Sequence, residues 1–205
     1  MIDEVVEAIR AGRPVILPTD TVYGLCADAY REEAVYALYR LKGRGERQPT
    51  ALLAADVEVL LDAVPELRGQ AGKVVRALLP GPYTLILPNP ARRFRWLTGE
   101  RPDTIGVRVP ALAGDAQLVL DRVGAVAATS ANLPGGPDPR RVADVPVELL
   151  AGSGAVLDAG ELPGIASTVL DLTGPEPVVV RDGAVPAAEA LRRVSDVWAS
   201  ASSRG

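Results

Sequence analysis

The stretch VILPTDTVYGL, residues 15–25, opens as a buried strand and then fills with hydroxyls, a carboxylate and a phenol. Val15 to Leu17 have the branched apolar character of a strand covered on both faces, and Pro18 removes the backbone donor that simple continuation requires. The chain is therefore expected to leave the sheet at this point. Thr19, Asp20, Thr21 and Tyr23 then crowd the C-terminal end of a strand, where open α/β sheets place their ligands. Read locally, the same residues also make an ordinary turn, stapled by Thr and Asp side chains, with Tyr23 packed on the core.

The rest of the chain continues in the same alternation. Helices are expected over 3–11, 31–43, 67–79 and 112–123, with another after Asp56 as N-cap of VEVLLDAV. Strands are expected at 14–18, TALLAA (50–55), TLILP (84–88), TIGVRVP (104–110), AVAATS (125–130) and 155–157. A short helix falls near 145–150, and STVLDL with PVVVR, separated by TGPEP, reads as an antiparallel hairpin. A last helix over 187–198 leads into a tail, 199–205, expected to be disordered. The pattern predicts one α/β domain over 1–198, a twisted mixed β-sheet flanked by helices.

Composition removes much familiar chemistry. The 205 residues are 48% hydrophobic, enough for a full core, and no apolar run approaches the roughly 20 residues that span a bilayer. A soluble, cytoplasmic protein is expected. The absence of histidine excludes a Ser-His-Asp triad and imidazole metal ligands, and the single Cys26 cannot form an internal disulfide. Cys26 reads as a small buried hydrophobe. With a net charge of −4, any anionic ligand must be held by a local basic pocket.

Four segments carry unusual polar chemistry at strand ends: PTDTVYG, KGRGERQPT, TSANLPGG and GIASTV. Lys42, Arg44 and Arg47 follow a helix among glycines, where backbone can approach a ligand while cations clamp anionic oxygens; a solvated C-terminal charge run is the plainer alternative. Arg108 alternates with Val107 and Val109 in a strand, so its guanidinium faces the other way and needs an anion, either a ligand or an internal Asp or Glu. The SAN segment suits a ribose or phosphate edge, or simply a capped turn, and PGPYT suits close ligand approach or a stiff strand entry. ARRFRW offers arginines and aromatics to RNA, or is an exposed loop whose two aromatics pack inward.

In order, PTDTVYGL, KGR with a downstream proline, PGPYT, VRVP, SAN with a following glycine, STV and a closing arginine resemble the YrdC/TsaC family of threonylcarbamoyl-AMP synthases, from about Ile9 to Gly183. The resemblance implies a YrdC-like fold with a large basic cavity. It also implies an ATP-dependent enzyme, a nucleotidyltransferase that joins L-threonine, bicarbonate and ATP into threonylcarbamoyl-AMP and pyrophosphate, with Mg2+ accompanying the nucleotide. The product would pass to the transferase complex that builds threonylcarbamoyladenosine in tRNA.

By motif, Thr19, Tyr23, Arg108 and Ser167 would hold the threonine or threonylcarbamoyl part, with Arg108 on a carboxylate. Lys42 and Arg44 would be catalytic and clamp the phosphates, while Gln48, Thr84, Ala128, Ser130, Asn132 and Arg181 would complete the ATP contacts. No side chain is assigned to a metal. The chain departs from the family pattern at Gly45 for the proline of KGRP, at Gln48 for an Asn, at Leu53 for a histidine and at LPGG after SAN. A YciO-like paralogue and a non-catalytic RNA-binding or nucleotide-binding module, with weak RNA binding in the same cavity, are the alternatives; the acidic balance disfavours the RNA reading.

Overall fold

The computed structural model describes residues 1–45 and 47–202, the last two by backbone alone. In chain order the elements are α1 (Ile2–Arg10), β1 (Val15–Pro18), β2 (Tyr23–Asp28), α2 (Glu32–Lys42), β3 (Ala51–Ala54), α3 (Val57–Ala63), α4 (Gln70–Leu78) and β4 (Tyr83–Pro88). There follow β5 (Thr104–Arg108), α5 (Gly114–Val123), β6 (Ala125–Ser130), α6 (Val147–Gly152), β7 (Thr168–Asp171), β8 (Val178–Arg181) and α7 (Ala187–Ser202). All eight strands join one mixed sheet in the order β1-β2-β6-β3-β5-β4-β7-β8, with β3/β5 and β4/β7 parallel and the other neighbours antiparallel.

The opening stretch leaves the sheet for only four residues. Tyr23–Asp28 returns antiparallel to β1, with Pro18 opposite Tyr23 and Val15 opposite Cys26, so PTDTV is the turn of a hairpin. YGLCA shows no polar alternation because both its faces are covered, and for that reason the strand was not expected. The strand expected at 155–157 is a single parallel bridge, Val156 to Ile16, with Ile16 N donating to Ala155 O and Leu157 N to Ile16 O. Helix 67–79 is interrupted at Gly69, which separates a short 3-10 turn from α4. The hairpin of β7 and β8 forms as expected, and α7 runs to Ser202 rather than Trp198. Residues 203–205 of the expected tail lie outside the described residues.

Strand periodicity divides the core in two. Leu25 and Ala27 of β2, Leu52 and Ala54 of β3, and Ala125 and Ala127 of β6 face a cluster built with α2, α3, α4, α6 and α7. Cys26, Leu53 and Val126, one residue out of phase, face a second cluster built with α1 and α5. Those two helices pack on each other and reach β1, β2 and β6. On that face the strands β5, β4, β7 and β8 continue beyond them.

Candidate functional site

The register carries the second face outward. Arg108 lies beside Leu53 across the parallel β3/β5 pair, Gly106 opposite Ile86, Thr84 beside Val169, and Val169 opposite Arg181. Arg108, Gly106, Ile86, Thr84, Val169 and Arg181 therefore continue the sheet face of Leu53 beyond the part that α1 and α5 cover. There they line a cleft of about 700 Å³, whose floor is kept low by Ala51, Gly106 and Ala128. This volume suits a drug-sized or nucleotide-sized ligand.

Among the described residues five arginines line the cleft, namely 44, 47, 101, 108 and 181, against one acid, Glu100. Three already face carboxylates: Arg47 lies 3.8 Å from Glu100, Arg101 is 3.0 Å from Asp171, and Arg108 is 2.7 Å from Asp20. Arg44 and Arg181 have no carboxylate within ion-pair distance among the described residues. Neutral oxygens hold them instead. Arg44 donates from Nη1 to Thr129 Oγ1 at 2.9 Å and from Nη2 to the Pro49 carbonyl. Arg181 donates to the Ser167 carbonyl from Nε and Nη2, at 3.1 and 2.9 Å, and to Ser167 Oγ at 3.0 Å. Ser167 Oγ in turn meets Thr84 Oγ1 at 2.8 Å. Neutral anchors orient a guanidinium without cancelling its charge, so these two positions are poised for an anion.

Thr50 also lines the cleft, and its buried Oγ1, like the buried Nε of Arg44 and of Arg108, has no hydrogen-bond partner among the described residues. Burial holds the Arg44 and Arg108 guanidiniums below the ordinary arginine range, and at Arg108 the Asp20 carboxylate offsets part of that depression.

Of the residues predicted for the site, Arg44, Thr84, Arg108, Ala128, Ser167 and Arg181 meet in this cleft. The others sit behind it or outside. Lys42 is 5% exposed, with Nζ donating to the Ser130 carbonyl and to Asn132 Oδ1 at 2.9 Å. Burial, helped by the Arg44 charge, pushes its pKa down to about 8, against a smaller opposing pull from Asp138. Ser130 Oγ donates to Asn132 Oδ1 at 2.7 Å, and Asn132 Nδ2 donates to the Gly136 carbonyl at 2.7 Å, so the SAN segment and α2 are tied into one block.

Thr19 is a turn residue. Its hydroxyl donates to Val22 O at 2.7 Å and accepts from the amides of Thr21 and Val22. Tyr23 is fully buried, with its hydroxyl 2.9 Å from Asp158 Oδ1, 2.8 Å from Gly160 O and 2.9 Å from the Ala159 amide. Gln48 is exposed on a turn closed by its own amide to Gly45 O. Cys26 is buried, and its thiol is pushed up to about 12.

The aromatics of ARRFRW pack inward. Trp96 Nε1 donates to Ala29 O at 2.8 Å, and Phe94 stacks edge-on between Tyr30 and Trp96. The same excursion brings the cleft Thr98, Glu100 and Arg101, none of which had been predicted. Gly99, at φ +58°, fits this excursion against the KGR loop: a Cβ there would lie 2.3 Å from Arg47 O.

The family model Sua5/YciO/YrdC, described as telomere recombination, matches residues 7–183. A threonylcarbamoyl-AMP synthase of Pyrococcus abyssi is 35% identical over 190 residues, which are 92% of this chain and 56% of that protein. A putative threonylcarbamoyl-AMP synthase of Mycobacterium tuberculosis H37Rv is 38% identical over 181 residues, covering 88% of this chain and 82% of the relative. The crystal structure of P. abyssi Sua5 complexed with L-threonine superposes with a TM-score of 0.85 at 35% identity, over 94% of this chain and 57% of that one. E. coli YciO superposes with a TM-score of 0.80 at 28% identity, over 93% and 92% of the two chains. The chain thus spans little more than half the length of the P. abyssi protein.

Proposed function

Since the chain belongs to the Sua5/YciO/YrdC family, matched over residues 7–183, we propose that it is an L-threonylcarbamoyladenylate synthase, an ATP-dependent nucleotidyltransferase. L-Threonine and bicarbonate condense to the N-carboxylated amino acid with loss of water; its new carboxylate attacks the α-phosphorus of ATP, and the bond to pyrophosphate breaks. The observation that carries this reading is the pair of guanidiniums, Arg44 and Arg181, that face no carboxylate among the described residues, in a cleft whose other arginines already do.

The chemistry matches that distribution of charge. A carboxylate nucleophile is already deprotonated at neutral pH, and pyrophosphate leaves as a stabilised anion, so neither step demands a histidine. What the reaction does demand is alignment of two anions and relief of their repulsion, which fixed cations supply. In this reading Arg44 and Arg181 take phosphate oxygens, Arg108 takes the amino-acid carboxylate, and the Thr84 and Ser167 hydroxyls hold the threonylcarbamoyl part. Lys42 acts from behind, bracing the SAN segment against α2 and adding its charge. Mg2+ would enter with ATP, bound chiefly by the phosphates as part of the substrate.

The adenylate would then pass to a tRNA-modifying transferase in the cytoplasm; no helix among the described residues is long and apolar enough to cross a membrane. The test is pyrophosphate release from ATP, expected only with L-threonine and bicarbonate both present. Release that persists without threonine would overturn the assignment. A protein that binds nucleotide but releases no pyrophosphate would favour the YciO-like reading.

A further inference from the structure

Asp20 is the acid of PTDTV, and its geometry gives it a role in the site. Both its oxygens are engaged: Oδ1 accepts from Arg108 Nη2 at 2.7 Å, and Oδ2 accepts from the Ala111 amide at 3.1 Å. The two side chains are 9% and 11% exposed, for Asp20 and Arg108 respectively. A carboxylate tied by one oxygen to the backbone cannot swing with its partner. It fixes one edge of the Arg108 guanidinium in place.

Thr21 Oγ1 sits 3.2 Å from the same Nη2, so both contacts fall on one corner of the fork. Among the described residues Nε is buried without a partner and no acceptor meets Nη1, which leaves Nη1 as the donor that this cleft-lining residue can offer a ligand. Asp20 itself does not line the cleft. Nor does it have an oxygen free of protein donors to offer a metal.

We propose that Asp20 is a positioning residue for the amino-acid half of the reaction. By clamping Nη2 between the PTDTV turn and Ala111, it turns Nη1 of Arg108 towards the cleft to receive the carboxylate of the amino acid. This rests on the synthase reading. It assigns to Asp20 an effect on threonine alone, since the phosphate-facing Arg44 and Arg181 are anchored by Thr129, Pro49 and Ser167 and share no contact with it.

The test is steady-state kinetics of Asp20→Asn, with L-threonine and ATP varied separately. Asn keeps the size and one acceptor, but its NH2 must face either the Ala111 amide or the guanidinium, donor against donor. Misaiming a charge-assisted bond worth about 1.5–3 kcal/mol predicts a rise in KM for threonine of roughly 10-fold to 100-fold, with KM for ATP within about 2-fold of wild type. In an Arg108→Ala background, Asp20→Asn should add nothing further to KM for threonine, because its effect is transmitted through that guanidinium. Unchanged KM for threonine, a parallel rise for both substrates, or full additivity with Arg108→Ala would each overturn the proposal. Wild-type release independent of threonine would instead remove the synthase reading itself. Should Asp20→Asn fold poorly, Thr21→Val supplies the second measurement: it removes the other acceptor of Nη2 and should raise KM for threonine selectively by a smaller factor, and no selectivity there would count against the idea.

Discussion

Tyr23→Phe separates a structural tyrosine from a substrate-binding one. Motif resemblance would put this phenol on the threonine moiety, whereas the structure buries it against the loop 158–160. A phenol has one proton, so of the two acceptors, Asp158 Oδ1 at 2.9 Å and Gly160 O at 2.8 Å, only one receives it at a time. The third contact, from the Ala159 amide at 2.9 Å, is independent of that choice. The substitution therefore removes two hydrogen bonds. One partner is a carboxylate for part of the time, and Ala159 and Gly160 lie in an exposed loop, where water can replace the phenol. The full penalty for a stranded buried group is thus avoided, and a loss of about 2 kcal/mol is expected from bonds worth roughly 0.5–1.5 kcal/mol, more when one partner is charged. For a domain of this size that lowers the thermal midpoint by about 4–8 °C. Circular dichroism melts and urea titration would read it, alongside KM for threonine. An unshifted midpoint together with a tenfold rise in that KM would refute the structural assignment.

The fold was legible wherever one face of an element meets the core. Arg108 between two valines announced a side chain aimed away from its neighbours, and the register places it beside Leu53 on the cleft face. β2 was hidden because YGLCA is buried on both faces and lacks the alternation that marks a half-covered strand. The candidate site was legible where one short segment carried several polar groups, as KGR, STV and the closing arginine did. It was illegible where distant segments converge: Thr98, Glu100 and Arg101 arrive on the excursion between β4 and β5, and nothing local in that excursion points to a cleft. Nor does a motif tell which cations remain uncompensated. Lys42 and Arg44 stand two residues apart, yet one is spent bracing the Ser130 carbonyl and Asn132 while the other lines the cleft, a difference set by the direction in which α2 ends.

Gly99→Ala would force a side chain into left-handed backbone at φ +58° and within 2.3 Å of Arg47 O, so the backbone at Arg47 and Pro49 must move. The backbone cost alone is about 1–2 kcal/mol, and because Pro49 O anchors Arg44, ATP affinity by calorimetry should fall along with the thermal midpoint; unaltered affinity would show that the two loops are independent. Lys42 makes a prediction in pH. Its pKa, ordinarily 10.5, is pushed down to about 8 by burial and by Arg44. Between those two values the unfolded chain holds a proton that the folded chain has released, so stability must rise with pH across that window. The contribution is fully present above the unfolded value and is lost as pH falls through about 8, where the folded protein must carry a buried ammonium. Lys42→Met has no proton to release, so the wild type should gain unfolding free energy relative to this variant between about pH 8 and 10.5. Nucleotide affinity should move the other way, weakening in wild type above about pH 8 as the ammonium beside Arg44 discharges. Parallel stability profiles for the two proteins would mean that the amine keeps its proton in the fold, and the lowered pKa of Lys42, with the pH-dependent loss of nucleotide affinity drawn from it, would have to be abandoned.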